Sequence, residues 1–408
     1  GETLMNVEIR PLTAGEMGQL GELGGYVYGG SFGDGPDNVV ATANLPDWTL
    51  CALIDGKLVS SFTAIPFTMR ANGNSVALAG VSTVGTQPEY RRQGLLRRIQ
   101  TQAFADMRDR GQSLAALWAS QAAIYQRYGY AMTTVLRSYR VDTTDISFHD
   151  GVWGSGHVER LSVNDAFDVI KSIYIRFVEN RICYLHRSKA LWLQNAMEEI
   201  EEQGPIHAGV HFDDEGNADG YIIYTLRGGK VDHATRGQEI LVRDMAWLSM
   251  DGYRSLWEWL KRHDLVGQVS YRRAATDDPA VELFAEPRLL HSVDHEGIWL
   301  RIVDATGALG DRAYSSEGDV TIGLTDDPLT PWNNRSIRLE ASPEGAHVTP
   351  SKSSDLQMSA KALASLYSGF RTARQLRAWG LIEGGDQAID TADRLFASSH
   401  APHCPDHF

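Results

Sequence analysis

The stretch V-S-T-V-G-T-Q-P-E-Y-R-R-Q-G-L-L, from Val81 to Leu96, runs on into R-R-I-Q-T-Q-A-F-A-D-M and decides how this chain is read. Its first half is apolar and β-branched, the composition of a strand, and a helical pattern starts at about Gly94 or Leu95. Between them lies a cationic turn, Arg91-Arg92-Gln93-Gly94. A strand passing to a helix through such a turn aims backbone N–H groups and the positive helix end at one point, which is the geometry of a diphosphate cradle. Gly94 lets a phosphate approach the backbone, and the two arginines supply charge-assisted hydrogen bonds. Four residues alone leave a second reading open, a solvated basic turn at the start of an ordinary helix.

Composition sets the setting. The 408 residues are 43% hydrophobic and carry a formal charge of −14, enough for about three domains. No run approaches the roughly 18 apolar residues that span a bilayer, and the N-terminal residues do not read as a secretory leader. Three widely spaced cysteines, Cys51, Cys183 and Cys404, form no disulfide framework. We expect a soluble protein of a reducing cytoplasm that binds neither nucleic acid nor membrane. In so acidic a chain the cluster Arg91, Arg92, Arg97 and Arg98 suits a polyanionic ligand.

Working outward, Gly111 stops the helix and Ser113 to Ser120 (S-L-A-A-L-W-A-S) has the near-continuous apolar pattern of a doubly covered central strand. The segment Q-A-A-I-Y-Q-R-Y-G-Y follows, with Tyr125 one turn into a short helix, and Val135 to Val141 reads as the strand that closes this sheet. Upstream, Asn6 to Pro11 alternates like an edge strand, and Thr13 caps a Gly-rich helix reaching about Tyr28. Gly29 to Asn38 is a loop whose Asp34 and Asp37 read on their own as turn residues. A hairpin follows, Thr49 to Ile54 and Leu58 to Met69, with Pro66 expected at a bulge or edge.

Beyond a polar linker at His149 to His157, helical patterns cover Asn164 to Val178 and Ser188 to Gln203. The segment Ile240 to Ser249, a helix at Tyr253 to His263 and a strand at Val269 to Arg273 repeat the order of the opening stretch without its chemistry, since Asp251-Gly252 stands where the arginines were. Gly297 to Asp304 opens a third unit of short strands (Asp319 to Leu324, Ser336 to Ala341, His347 to Thr349), then helices from Ser359 to Gly369 and from Thr372 onward. The tail F-A-S-S-H-A-P-H-C-P-D-H-F would fray on composition alone. Its H-x-x-H-C-x-x-H spacing invites zinc, but no second cluster completes the set and no metal is expected.

The whole arrangement resembles the GCN5-related N-acetyltransferases, in which a strand is followed by R/Q-x-x-G-x-G/A and a long helix; the last small position is here Leu96. The variant R-R-x-G-L-L, with A-S-x-x-x-I-Y-x-R-x-G-Y at Ala119 to Tyr130 and S-A-K-A-L-A-S-L-Y-S-G-F-R-T-A from Ser359, is similar to the Eis-like (enhanced intracellular survival) branch. This implies an α/β and α+β fold: a catalytic acetyltransferase domain over 1–145, a degenerate second copy over 146–292, and a sterol-carrier-like domain over 293–408. Each acetyltransferase-like domain would be a mixed central sheet with helices on both faces. By resemblance, acetyl-CoA is held at Val84, Gly85, Thr86, Arg91, Arg92, Gln93, Gly94, Leu95 and Ser120. Tyr125 protonates the leaving thiolate, and the terminal carboxylate of Phe408, reaching into the first domain, takes a proton from the acceptor amine. Asp34, Asp37 and His407 would face a cationic acceptor, and the assembly would be a homo-hexamer. Acceptors suited to an acidic cleft are aminoglycosides, polyamines and lysine side chains. A non-catalytic acyl-CoA or lipid carrier, or an interaction module, is the alternative.

Overall fold

The computed structural model describes residues 6–33, 35, 37–229 and 236–408, and the described residues form two compact units. One holds the chain up to Thr133, Ile298–Ala397 and Phe408; the other holds Thr134–Gly297 and Ser398–His407.

The first unit begins with the strand β1 (Val7–Arg10), a helical turn and the helix α1 (Gly18–Tyr28). The turn over Ala14–Glu16 is locked by a reciprocal pair of bonds between Thr13 and Glu16, so the predicted cap opens this turn and α1 starts after it. The glycines of α1 make room for the loop behind it. A Cβ on Gly21 would lie 2.1 Å from the Asn38 side chain, and Gly24 and Gly30 both face the Phe32 ring. The short helix α2 (Val39–Ala43) is capped by Asn38, and β2 (Cys51–Ile54) and β3 (Lys57–Ala71) form the expected hairpin. Asn72 and Gly73, both at positive φ, turn β3 into β4 (Asn74–Thr86). Pro66 sits in register opposite Ala79; the irregularity in this ladder falls further back, between Ser61 and Thr63, which corrects the expected bulge.

The helix α3 (Leu95–Asp109) buries Leu95, Ile99, Ala103, Phe104 and Met107, one face at helical spacing, in a core that includes Phe62, Ala115 and Trp299. Each large side chain there contributes about 1.5–3 kcal/mol by leaving water. The strand β5 (Leu114–Trp118), the helix α4 (Ala122–Gln126) and the two-residue strand β6 (Ala131–Met132) follow.

The closing strand is not the one expected. Ile298–Ile302 lies between β5 and β6, antiparallel to both, and all five of its residues are buried. Val135–Val141, expected in that place, belongs to the second sheet, between 266–274 and 293–296. Its partly exposed pattern suits a place near a sheet margin, whereas I-W-L-R-I, apolar except for Arg301, which is buried and paired with Asp327, suits a covered central position.

The rest of the first unit is a five-stranded sheet in the order 345–350, 336–342, 318–324, 356–358, 382–384, with helices over 305–311, 360–367, 373–378 and 386–395. The region after Thr372 is therefore two helices separated by a short strand. Arg312, fully buried, donates to the carbonyls of Tyr367, Leu395 and Phe396, tying together the ends of two of these helices.

The second unit carries a seven-stranded sheet in the order 293–296, 135–141, 266–274, 238–247, 218–227, 206–212, 157–161, in which only 238–247 and 266–274 run parallel. That parallel pair flanks the helix Met250–Lys261 and repeats the β4–α3–β5 order of the first unit. The helix expected over Ser188 to Gln203 ends at Gln194, where Asn195 leaves helical geometry, and only a turn over Glu201–Gln203 follows.

Candidate functional site

The site grows from a defect in one strand. The strands β4 and β5 pair in parallel only at Leu78, Ala79 and Gly80, yet β4 continues to Thr86, so a fork opens beyond Gly80. Within that free length, Ser61 pairs with Gly85 and Thr63 with Ser82, leaving Phe62 opposite two residues, Thr83 and Val84. This is a β-bulge, and Thr83 within it takes a left-handed φ of 51°. Side chains hold the distortion. Thr63 Oγ1 donates to the Ser82 carbonyl at 3.1 Å, Ser61 Oγ to Thr83 at 2.6 Å, Tyr28 OH to Val84 at 2.7 Å, and Ser60 Oγ to Gly85 at 3.1 Å. Arg91 Nε completes the series at the Thr86 carbonyl, 3.0 Å away. Five successive carbonyls thus each accept a side-chain hydrogen bond.

The turn before α3 places Arg92 at φ 63° and Gly94 at φ 79°. The helix receives no side-chain cap at its N-terminus, and a Cβ on Gly94 would meet nothing within 4 Å. Arg91, Arg92 and Gln93 are exposed around it, as are Arg97 and Arg98. An uncapped 15-residue helix with open space at a left-handed glycine and arginines alongside fits a diphosphate. Leu95 offers only backbone there, because its side chain is 5% exposed in the core, and Leu96 also packs partly against that core. Leu96, at the position that is small in the acetyltransferase signature this stretch resembles, is thereby turned partly inward.

Tyr125, 4% exposed, lies on α4 after the exposed Ser120. Burial pushes its phenol well above the usual tyrosine range, the neighbouring Tyr28 adds to the rise, and a hydrogen bond from Ser120 opposes it. The phenol is therefore neutral at physiological pH and able to donate a proton. Tyr130 meets Tyr125 edge-on, ring centroids 5.9 Å apart, and is fully buried as a packing residue. Tyr128 is partly buried against the same core.

Phe408 belongs to this same unit. Its ring tilts against Phe67 at 5.0 Å and 59°, over Gly80, where an added Cβ would lie 2.3 Å from Phe67 and 3.0 Å from Phe408. Gly80 is the last residue of β4 paired with β5, so the chain end sits where the fork opens.

Among the residues expected to face the acceptor, Asp37 is exposed on the loop that Asn38 anchors through Gly18 and Gly35, and Asp34 lies outside the described residues. His407 is counted with the second unit, where its N–H donates to Asn195 Oδ1 at 2.7 Å and its carbonyl accepts from Asn195 Nδ2 at 3.1 Å. The tail before it is held rather than frayed. Asp406 is fully buried and paired through both oxygens with Arg187 Nε at 2.9 and 3.0 Å, while Arg187 also binds Asp244 and stacks on Tyr174 and Trp192. Among the described residues no group of three or more His, Cys, Asp or Glu is placed to hold a metal, and no helix is long and apolar enough to cross a membrane. The sequence reading passed over Ser60, Ser61, Thr63 and Tyr28, whose hydroxyls look like ordinary strand and helix residues until the bulge is seen.

Residues 8–133 match the family model of an acetyltransferase (GNAT) domain, residues 183–302 a second acetyltransferase (GNAT) model, and residues 305–405 a sterol carrier protein domain. The chain is 28% identical over 331 residues to the N-acetyltransferase Eis of Mycobacterium tuberculosis, covering 78% of each. It is 27% identical over 375 residues to an uncharacterized N-acetyltransferase of Streptomyces avermitilis, covering 89% of each. Among solved structures, Eis1 from Mycobacterium abscessus superposes with a TM-score of 0.81 at 25% identity, over 98% of this chain and 100% of that one. A GCN5-related N-acetyltransferase from Anabaena variabilis gives 0.86 at 21% identity, over 99% and 100%, which bears on the fold alone.

Proposed function

We propose that this chain, an Eis-like N-acetyltransferase of the GCN5-related superfamily, acetylates primary amines of cationic small molecules such as aminoglycosides by direct attack on acetyl-CoA. The observation that supports the reading is the bulge at Thr83 and Val84 in the free length of β4, with Tyr28, which holds the Val84 carbonyl, neighbouring the buried phenol of Tyr125, and with Phe408 seated over Gly80.

In this reading Arg91, Arg92 and the first N–H groups of α3 bind the diphosphate, and Ser120 lines the approach to Tyr125. Backbone N–H groups around Val84 polarise the thioester carbonyl, which requires donors aimed in advance at the developing oxyanion. The Phe408 carboxylate takes a proton from the acceptor ammonium. The free amine then adds to the carbonyl carbon, the C–S bond breaks, and Tyr125 gives its proton to the departing thiolate. Asp34 and Asp37 are assigned to the acceptor side, where carboxylates suit a polycation. We place the protein in the cytoplasm as a homo-hexamer, in line with the branch it resembles.

Thiol release from acetyl-CoA tests the substrate class, using an aminoglycoside, a polyamine and a lysine peptide as acceptors. Amine-dependent release that is fastest with the aminoglycoside is the expected result. Release with the lysine peptide alone would move the assignment to protein substrates.

A further inference from the structure

A trans peptide unit is planar, and its C=O and N–H point in opposite directions. Whatever fixes the carbonyl of one residue therefore aims the N–H of the next. In a regular ladder the neighbouring strand does this, but the β3–β4 register skips Thr83 and Val84, so at the bulge it does not. Two hydroxyls act there in its place. Ser61 Oγ, on a residue 1% exposed, holds the Thr83 carbonyl at 2.6 Å and so orients the Val84 N–H. Tyr28 OH holds the Val84 carbonyl at 2.7 Å, on the other side of the same residue, while Gly85 is back in the ladder opposite Ser61.

The two donors come from different elements, β3 and the last residue of α1, and each is itself fixed. A Cβ on Gly85 would lie 3.4 Å from Ser61 Oγ and 3.2 Å from a methyl of Val27, the residue before Tyr28. The end of α1 and the middle of β3 thus press on the bulge together. Helix α1 stops immediately after Tyr28, where Gly29 at φ 67° caps it. The tyrosine is thereby delivered at the final turn rather than along the helix face.

We propose that Ser61 and Tyr28 are positioning residues for the acyl-transfer step, holding the carbonyls on both sides of Val84 so that its N–H group is aimed at the thioester oxygen. The inference rests on the assignment of the N–H groups around Val84 made above. Neither hydroxyl needs to touch the substrate, and neither gains or loses a proton during the reaction.

The test is the carbonyl stretching frequency of 13C-acetyl-CoA bound to the intact protein, read by isotope-edited infrared spectroscopy beside kcat and the acetyl-CoA KM. In the unaltered protein the bound thioester should absorb at lower frequency than free acetyl-CoA. Ser61→Ala should lose part of that shift and lower kcat about tenfold to a hundredfold, with KM changed less than threefold. Ser61→Thr, which keeps a hydroxyl, should restore both. Tyr28→Phe removes only a hydroxyl from a ring that is 46% exposed, so it keeps the test available if the buried serine variant folds poorly. It should also lose part of the shift. An unchanged frequency in Ser61→Ala and Tyr28→Phe, where the unaltered protein shows a shift, would overturn this inference and leave the assignment of the bulge N–H groups standing. No shift in the unaltered protein, with thiol release intact, would overturn both.

Discussion

Removal of Phe408 alone is expected to lower kcat for amine acetylation by about a hundredfold to a thousandfold, within the roughly 10²–10⁴-fold associated with a positioned general base. Acetyl-CoA affinity should change little, because Arg91, Arg92 and Gly94 lie on the turn before α3 and owe nothing to the tail. The loss should shrink as pH rises toward the pKa of the acceptor amine, since a free amine no longer needs a base. Steady-state kinetics from pH 6 to 10 with equilibrium acetyl-CoA binding measure both. The ring contact with Phe67 is also lost, and an aromatic pair adds about 0.5–1.5 kcal/mol beyond its buried area. A modest fall in thermal stability should therefore accompany the kinetic effect without explaining it.

Replacing Tyr125 by Phe should lower kcat about a hundredfold, again with acetyl-CoA binding preserved, because the phenyl ring keeps its packing against Tyr130 while the proton donor is gone. The pH profile carries the sign. A general acid must be protonated to act, and burial holds the Tyr125 phenol above the ordinary value near 10. The unaltered enzyme should consequently show no alkaline decline assignable to Tyr125 below about pH 10. The Ser120 hydrogen bond works against burial, so Ser120→Ala should move any such decline to still higher pH.

Much of this was legible in the residues and some was not. The strand, cationic turn and helix from Val81 onward could be read because apolar periodicity changes from two to 3.6 at one glycine, and few folds place arginines there. The strand exchange was not. Val135–Val141 and Ile298–Ile302 are recognisable as strands, but apolar pattern sets the type of an element and not its partner. Ile298–Ile302, read as the opening strand of the third unit, is buried at all five residues inside the first sheet. The helix expected over Ser188 to Gln203 stops short for a long-range reason. Asn195 gives up helical geometry, and its side chain is used to hold the backbone of His407, a partner 212 residues away that no window of sequence contains.

The site divides in the same way. Residues whose chemistry is unusual for their position, such as Arg91 and Gly94, could be singled out directly, whereas Tyr125 stood out from other strand-end aromatics only through the resemblance. The hydroxyls that support the bulge could not, since serine and threonine in a strand are unremarkable and their role depends on a register irregularity. The tail shows the reverse error. A segment with two prolines reads as loose, yet Cys404 and Asp406 are fully buried, because Arg187 supplies a charged partner that composition does not reveal.

The most direct test of the account is a kinetic comparison of the intact protein with one that carries a single glycine appended after Phe408. The addition keeps the phenylalanine ring and carries the carboxylate one residue onward, about 3.8 Å along the chain. A fall in kcat approaching that of the Phe408 deletion, with acetyl-CoA binding unchanged, is the predicted result. Full activity in the extended protein would contradict the terminal carboxylate as the base.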